Sequence, residues 1–459
     1  MKISIVILVI IGVGLSGQGV SQTVTDETHG TSVRETELPD LSKKASLSTY
    51  LKYAALNNAG LEAAFNHWKA ELERIPQVKA LPDPRFSYSY FIEEVETRVG
   101  PQKQKFEVSQ TFPWFGTLGL KEDMAAESAD AARQRYEAAK LKLFYAVKKN
   151  YYEYYYLARA IAITKKNIRL LSELEAVARV KFKASSARHS SVIKAQVELG
   201  RLQDRFQTLQ DFQAPLIAKL NAALNRPLKS DLPWPTAIPD FDTSMSEGEL
   251  FAIASSSNPE LRAMEHLAKK ESSGVKLAGK SYYPNIMLGA GLIETGDANM
   301  PEMDESGKDP IIAMIAISLP IWPGKSRAGV REAKAREMAA QEHLKESKNN
   351  LLADVELALY HFRDAERKIT LYRDGLIPKA WESLEVNNQA FESGKAEFLD
   401  VIDSERVLLE FELSYERALV NRAQRLAELE MLIGRELSKD SSKKKKDNIT
   451  QDKTLKTTK

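Results

Sequence analysis

The sequence predicts a mainly α-helical chain that also lends strands to a membrane β-barrel, built from one unit written twice. Three observations carry this. First, the chain matches itself: NAGL (Asn58–Leu61) precedes NPEL (Asn258–Leu261) by 200 residues, Gly116 precedes Gly324 by 208, and Phe182 precedes Phe391 by 209. Second, each copy holds two short stretches in which apolar and polar residues alternate, the period of a strand with one apolar face. Third, each strand pair is followed by a helix-like run too long for an ordinary globular domain; residues 118–184 contain no proline and extend roughly 100 Å as a helix.

Composition removes several function classes. The 459 residues carry 28% charged side chains but a net charge of only +2, which lacks the basic excess of a nucleic-acid binder. With no cysteine, the chain has no disulfide, thiol nucleophile, cysteine zinc site or iron–sulfur cluster.

Taken in order, residues 1–21 read as a secretory signal. Lys2 precedes an apolar run from Ile3 to Leu15, and small residues at Gly19 and Ser21 suit cleavage. The run is too short to span a bilayer comfortably. The GxGxxG match inside it (Gly12, Gly14, Gly17) follows no strand and carries no weight as a nucleotide site. Residues 22–46 are expected to be a flexible segment. A first repeat covers 47–225, with strands at about 84–96 and 103–112 and long helices at about 118–184 and 189–225. A proline-rich linker, 226–245, contains Pro227, Pro233, Pro235 and Pro239. The second repeat covers 246–437, with strands at about 284–294 and 310–319 and helices at about 324–392 and 396–436. Pro378 predicts a bend in the first of these helices. The tail, 438–459, is lysine-rich, without apolar period, and is expected to be disordered.

The strand faces are explicit. Phe86, Tyr88, Tyr90 and Ile92 share one side, as do Phe106, Val108 and Phe112, then Ile286, Leu288, Ala290 and Leu292, then Ile311, Ala313, Ile315, Ile317 and Leu319. Each stretch is near the length a tilted strand needs to cross a membrane. At the strand-to-helix junctions, Pro113 ends the ladder because it cannot donate, and Gly116 relieves crowding where the chain turns into helix. Trp114 and Phe115 suit a membrane–water interface. Pro320, Trp322, Pro323 and Gly324 repeat the pattern in the second copy. Beyond the junctions, Val192, Ala195, Leu199, Leu202, Phe206, Leu209 and Leu216 form a heptad stripe for supercoiling. YYEYYYL (Tyr151–Leu157) reads as helix packing rather than a ligand-stacking site. Four strands cannot close a barrel, since the smallest membrane type has eight, so sister copies must complete it.

The duplicated order, NPEL, the junctions SQTFPWFG and SLPIWPG, and SGKAEFLDVIDSE together resemble the TolC family of outer membrane efflux proteins, over about 47–437. The resemblance implies a homotrimer with a shared 12-stranded β-barrel in outer membrane lipid and a long α-barrel through the periplasm. It implies an exit duct joined by a periplasmic adaptor to an inner-membrane pump. It places adaptor docking at the hairpin tips, here Ser185, Ser186 and Ala187 in the first copy and Gly394, Lys395 and Ala396 in the second. It places an acidic entrance gate at Asp400 and Asp403. Residues three apart share a helical face, and threefold symmetry would gather six carboxylates around one axis. Two acids near a helix N-terminus also serve its dipole without any other role. The junction SQTFPWFG resembles the branch serving heavy-metal pumps. A type I protein secretion channel and a non-pore periplasmic scaffold are the alternative readings. No nucleophile–base set, phosphate loop or metal-ligand cluster is apparent, so no catalysis, metal or cofactor is expected.

Overall fold

The computed structural model describes residues 38–41, 46–184, 188–238, 241–242, 246–299, 304–437 and 439–440. The expected signal, 1–21, lies outside the described residues. The elements below belong to Pro39–Lys459.

The first copy opens with helices α1 (Leu47–Asn57) and α2 (Ala59–Lys79), followed by strands β1 (Arg85–Val95) and β2 (Gln102–Phe112). Helix α3 (Thr117–Lys183) then runs for 67 residues, and α4 (His189–Asp211) and α5 (Gln213–Ala223) follow it. A two-residue strand, β3 (Phe241–Asp242), precedes the second copy: α6 (Glu247–Ser257), α7 (Pro259–Gly279), β4 (Asn285–Thr295) and β5 (Ile311–Ser318). Helices α8 (Pro323–Thr370), α9 (Ile377–Glu392) and α10 (Phe398–Ile433) complete it, and β6 (Lys439–Asp440) pairs antiparallel with β3.

The duplication is visible in hydrogen bonds as well as in order. Asn58 caps α2 by accepting from the Leu61 N–H at 2.9 Å while its amide donates to the Ala223 carbonyl. Asn258 caps α7 by accepting from the Leu261 N–H at 2.9 Å while its amide donates to the Leu432 carbonyl. Each asparagine therefore satisfies an orphan helix donor and ties the start of its repeat to the end of the same repeat. Buried pairs follow the same equivalence: Ala54 with Ala254, Val147 with Val355, Leu220 with Leu429, and Leu224 with Ile433.

Two expected long helices are interrupted, and proline is the reason in both. The 189–225 segment breaks between α4 and α5, because Pro215 has no N–H to offer the Asp211 carbonyl. It also stops at Ala223, before Asn225 turns left-handed at φ 53°. The 324–392 segment divides around a π-helical turn, Leu371–Leu376. Pro378, two residues beyond, cannot donate to the Asp374 carbonyl, and the wider turn takes up the conflict.

Two segments outside the expected helices and strands are in part packed. Leu41, inside the expected flexible 22–46, is buried in the cluster formed with Tyr50, Ala54 and Tyr151. The proline-rich linker packs too: Leu232 is buried and accepts from the Tyr154 hydroxyl at 3.0 Å, and Trp234 stacks on Tyr154 at 4.4 Å. Apolar side chains there outweigh the loop-like composition. In the expected disordered tail, Lys439 and Asp440 pair as strand, and the rest lies outside the described residues. The Tyr151–Leu157 run buries Tyr151, Tyr152, Tyr154 and Leu157 in this same cluster, so these rings are packing.

The four longer strands form one antiparallel sheet in the order β1-β2-β4-β5, so the two hairpins meet at β2 and β4. Its register puts Phe86 opposite Val108, Tyr88 opposite Phe106, Phe106 opposite Leu292, and Leu292 opposite Ile311. Directly opposed residues share a face, so these side chains form one apolar surface. The other face carries Ser87, Ser89, Lys105, Glu107, Gly289 and Gly291, with Lys105 and Glu107 paired at 2.7 Å.

Candidate functional site

Two regions hold the chemistry-bearing side chains: the sheet with its junctions, and the hairpin ends. On the sheet, large apolar residues stand open where a water-soluble protein would bury them. Ile92 is 92% exposed and Ile315 73%, and Phe86, Tyr90, Ile311 and Ile317 are also exposed. Among the described residues no helix is long and apolar enough to cross a membrane. An open, aligned apolar sheet face is instead the surface that lipid covers.

The junctions differ between the copies. Pro113 follows the last residue of β2, and Gly116 caps α3 at φ 76°, a left-handed conformation that costs any other L-residue about 1–2 kcal/mol. Trp114 stacks on Tyr283 of the second copy at 5.1 Å and 12°, and the Lys280 ammonium stands over Tyr283. Pro320 lies just past β5. Gly324 departs from expectation: it is already inside α8, has no positive φ, and has open space where a Cβ would lie. Pro323 starts that helix directly after Trp322, whose φ is -107°, so the second junction needs no left-handed residue.

At the hairpin ends, the first tip residues Ser185, Ser186 and Ala187 lie outside the described residues. On either side of them, Phe182 and His189 approach at 4.8 Å between rings, and Arg188 reaches Glu397 at 3.5 Å. The second tip closes around Gly394 at φ 75°. Its N–H donates to Phe391 and that of Lys395 to Ala390, the two bonds of a Schellman motif. Ala396 also donates to the Ala390 carbonyl, at 3.3 Å. Lys181 donates to the Glu392 carbonyl and stands over Phe391, joining the two tips.

Asp400 and Asp403 sit just past this turn, in different settings. Asp400 completes a capping box: its carboxylate accepts from the Glu397 N–H at 3.1 Å, and the Glu397 side chain accepts from Asp400. The helix-start role is therefore real for Asp400, whatever else it does. Asp403 is exposed and accepts from Arg406 at 3.2 Å. Both border a cleft of 310 Å³ with Ala380, Ser383, Asn387, Ser404 and Val407. Asn387 steadies the cleft by donating to Ser404 at 2.7 Å.

Sequence reasoning missed the contacts that join the two copies. Arg406 bridges from α10 to Glu198 on α4, and with Arg201 it holds the Glu198 carboxyl below the usual range. Along α3 and α10, Lys148 meets Glu430, Glu153 meets Arg417, Arg159 meets Glu416 and Lys166 meets Glu412. The Arg417 guanidinium also lies 3.5 Å from the Tyr156 ring centre. The partly exposed pairs contribute little individually, about 0–1 kcal/mol; Lys148–Glu430 is the buried one, and loss of either partner there would leave the other charge uncompensated. No local sequence signal could pair residues some 250 positions apart. Among the described residues, no group of three or more His, Asp or Glu side chains is placed to hold a metal ion.

Comparison with known proteins agrees with this architecture. Residues 250–435 match the family model described as outer membrane efflux protein. The chain is 26% identical to the toxin and drug export protein A of Aggregatibacter actinomycetemcomitans, covering 72% of this chain and 73% of that protein. It is 21% identical to the cobalt-zinc-cadmium resistance protein CzcC of Cupriavidus metallidurans, covering 85% and 90%. The crystal structure of CusC, described in terms of transmembrane channel formation, superposes with a TM-score of 0.73 at 15% identity, covering 85% of this chain and 92% of that one. Its structural neighbours are channels rather than enzymes. The second copy thus matches the outer membrane efflux protein family over residues 250–435, and the fold across both copies is similar to that of the outer membrane channels CusC and VceC.

Proposed function

We propose that three copies of this chain close one duct through which small molecules or ions, heavy-metal ions among them, pass without catalysis. The molecules would be delivered by an inner-membrane pump through a periplasmic adaptor. The observation that carries this is the sheet: one apolar face, and outer strands β1 and β5 that each pair on one side only. An open strand edge in lipid leaves backbone groups unsatisfied at several kcal/mol each, so the edges must meet those of sister copies. Four strands from each of three chains give the twelve that the family architecture requires. A periplasmic scaffold without a pore has no use for such a surface. The relatives named for drug export and for cobalt, zinc and cadmium resistance support a cargo of small molecules or metal ions.

In this reading the second tip, Gly394–Ala396, and the residues flanking the first tip receive the adaptor, and Asp400 with Asp403 narrows the entrance. The test is single-channel recording of the purified protein in planar bilayers. Asp400→Asn with Asp403→Asn removes both charges and keeps a cap acceptor at position 400. The double variant is expected to show higher conductance and weaker block by divalent cations. Unchanged conductance and block would remove the entrance role from these two residues.

A further inference from the structure

Helix α10 carries a buried acid with no hydrogen-bond partner among the described residues. Glu405 is 0% exposed, and neither of its carboxylate oxygens has a hydrogen-bond partner. It lies four residues after Val401 and three before Leu408, in the core where α3, α4, α9 and α10 pack. One protomer suffices to bury it, so its setting does not depend on assembly.

The charged groups around it are already engaged. From α4, Glu198 is bound by Arg406 and Arg201. On its own helix, Arg406 turns to Glu198 and Asp403, and Glu412 pairs with Lys166 of α3. Also on α3, Glu175 is taken by Arg179 and Gln196. From α9, Ser383 and Asn387 both contact Ser404, the residue next to Glu405, and Lys379 is paired with Glu382. Negative charge on Glu405 would therefore be placed in a dry core beside a second carboxylate.

We propose that Glu405 is a proton-operated lock on the hairpin-end bundle. Protonated, it lets α10 pack against α3 and α4; ionised, it forces α10 to open towards water, loosening the segment that carries Asp400 and Asp403. Burial first, and then the charge on Glu198, raise its pKa to about 7, with Arg406 opposing. In an opened bundle the group returns to its ordinary value of 4.5. Because the closed-state value is the higher one, closed packing is fully favoured below the ordinary value and loses this support as pH rises through about 7.

Hydrogen exchange of α10 in the full-length protein, corrected for intrinsic rates, tests this between pH 5 and 8. In the wild type the opening equilibrium should rise up to about tenfold per pH unit until it levels off near the closed-state value. Glu405→Gln and Glu405→Met, one polar and one apolar and both uncharged, should be flat and well protected throughout. A flat wild-type profile, or a variant that folds and keeps the wild-type slope, overturns the proposal. Parallel bilayer recordings should show wild-type open probability rising over the same pH range and the variants remaining low. That second readout rests on the channel reading. A protein with no conductance at any pH would fail that reading while leaving the exchange result to decide the lock.

Discussion

Asn258 shows how much one side chain can carry at the residue scale. It caps α7, and its amide reaches across to the Leu432 carbonyl at the end of α10, in a buried position. Loss of a cap costs about 1 kcal/mol, and an orphaned buried carbonyl about 1–3 kcal/mol more. Asn258→Ala is therefore expected to destabilise the second copy by about 2–4 kcal/mol. Asn258→Asp keeps the cap acceptor and should cost less. Chemical denaturation of the detergent-solubilised protein measures both, and equal losses would mean that the long-range bond, not the cap, dominates. The motif NPEL was legible as one half of the repeat, because it matches NAGL 200 residues earlier. Its second bond was not, because Leu432 lies 174 positions away. The same limit hid the Arg406–Glu198 contact and the burial of Glu405. A lone acid in an apolar stripe was the only available hint of the latter.

At the scale of elements, alternation proved a stronger guide than helix continuity. The strand faces follow directly from period two, because a one-residue slip would turn every apolar side chain to the polar side. Ile315→Lys places a charge near the middle of the apolar face and is expected to cost about 2–4 kcal/mol, against little for Ile312→Lys on the other face. Heat-modifiability of the folded barrel on gels separates the two; equal tolerance would deny that Ile315 meets lipid. The helices were read as too continuous. Pro215 and Pro378 lie inside helical patterns, and whether such a proline bends, breaks or widens a helix depends on what its neighbours pack against. Gly324 makes the same point in reverse. It matches Gly116 in sequence, yet the preceding proline gives the second junction a different geometry.

For the whole molecule, the unanswered edges of β1 and β5 set the expectation. The natural chain contains no cysteine, so an introduced pair reports without background. Ser89→Cys in β1 combined with Ala316→Cys in β5, or with Met314→Cys to allow for register, should give a covalent trimer on oxidation in membranes. Each residue lies on the sheet face opposite the one that carries Tyr88 and Ile315. Ladders that run past three, or an unlinked monomer at every register tried, would exclude a closed three-chain ring. The hairpin-end lock belongs to this scale as well, since it would couple proton concentration to the packing of a whole bundle.

Much of this protein follows from short-range order along the chain. Periods, proline positions and a repeated segment specify which residues become strand or helix, which strand face is apolar, and that the unit occurs twice. These are properties of neighbours, written within a few residues. The side of α10 that meets α4, the asparagine that crosses to a distant carbonyl, the linker that packs on Tyr154, and the acid sealed without a hydrogen-bond partner were settled only by folding. Each depends on surfaces brought together from opposite ends of the chain, and burial energy at such contacts is a sum over neighbours that no local window contains.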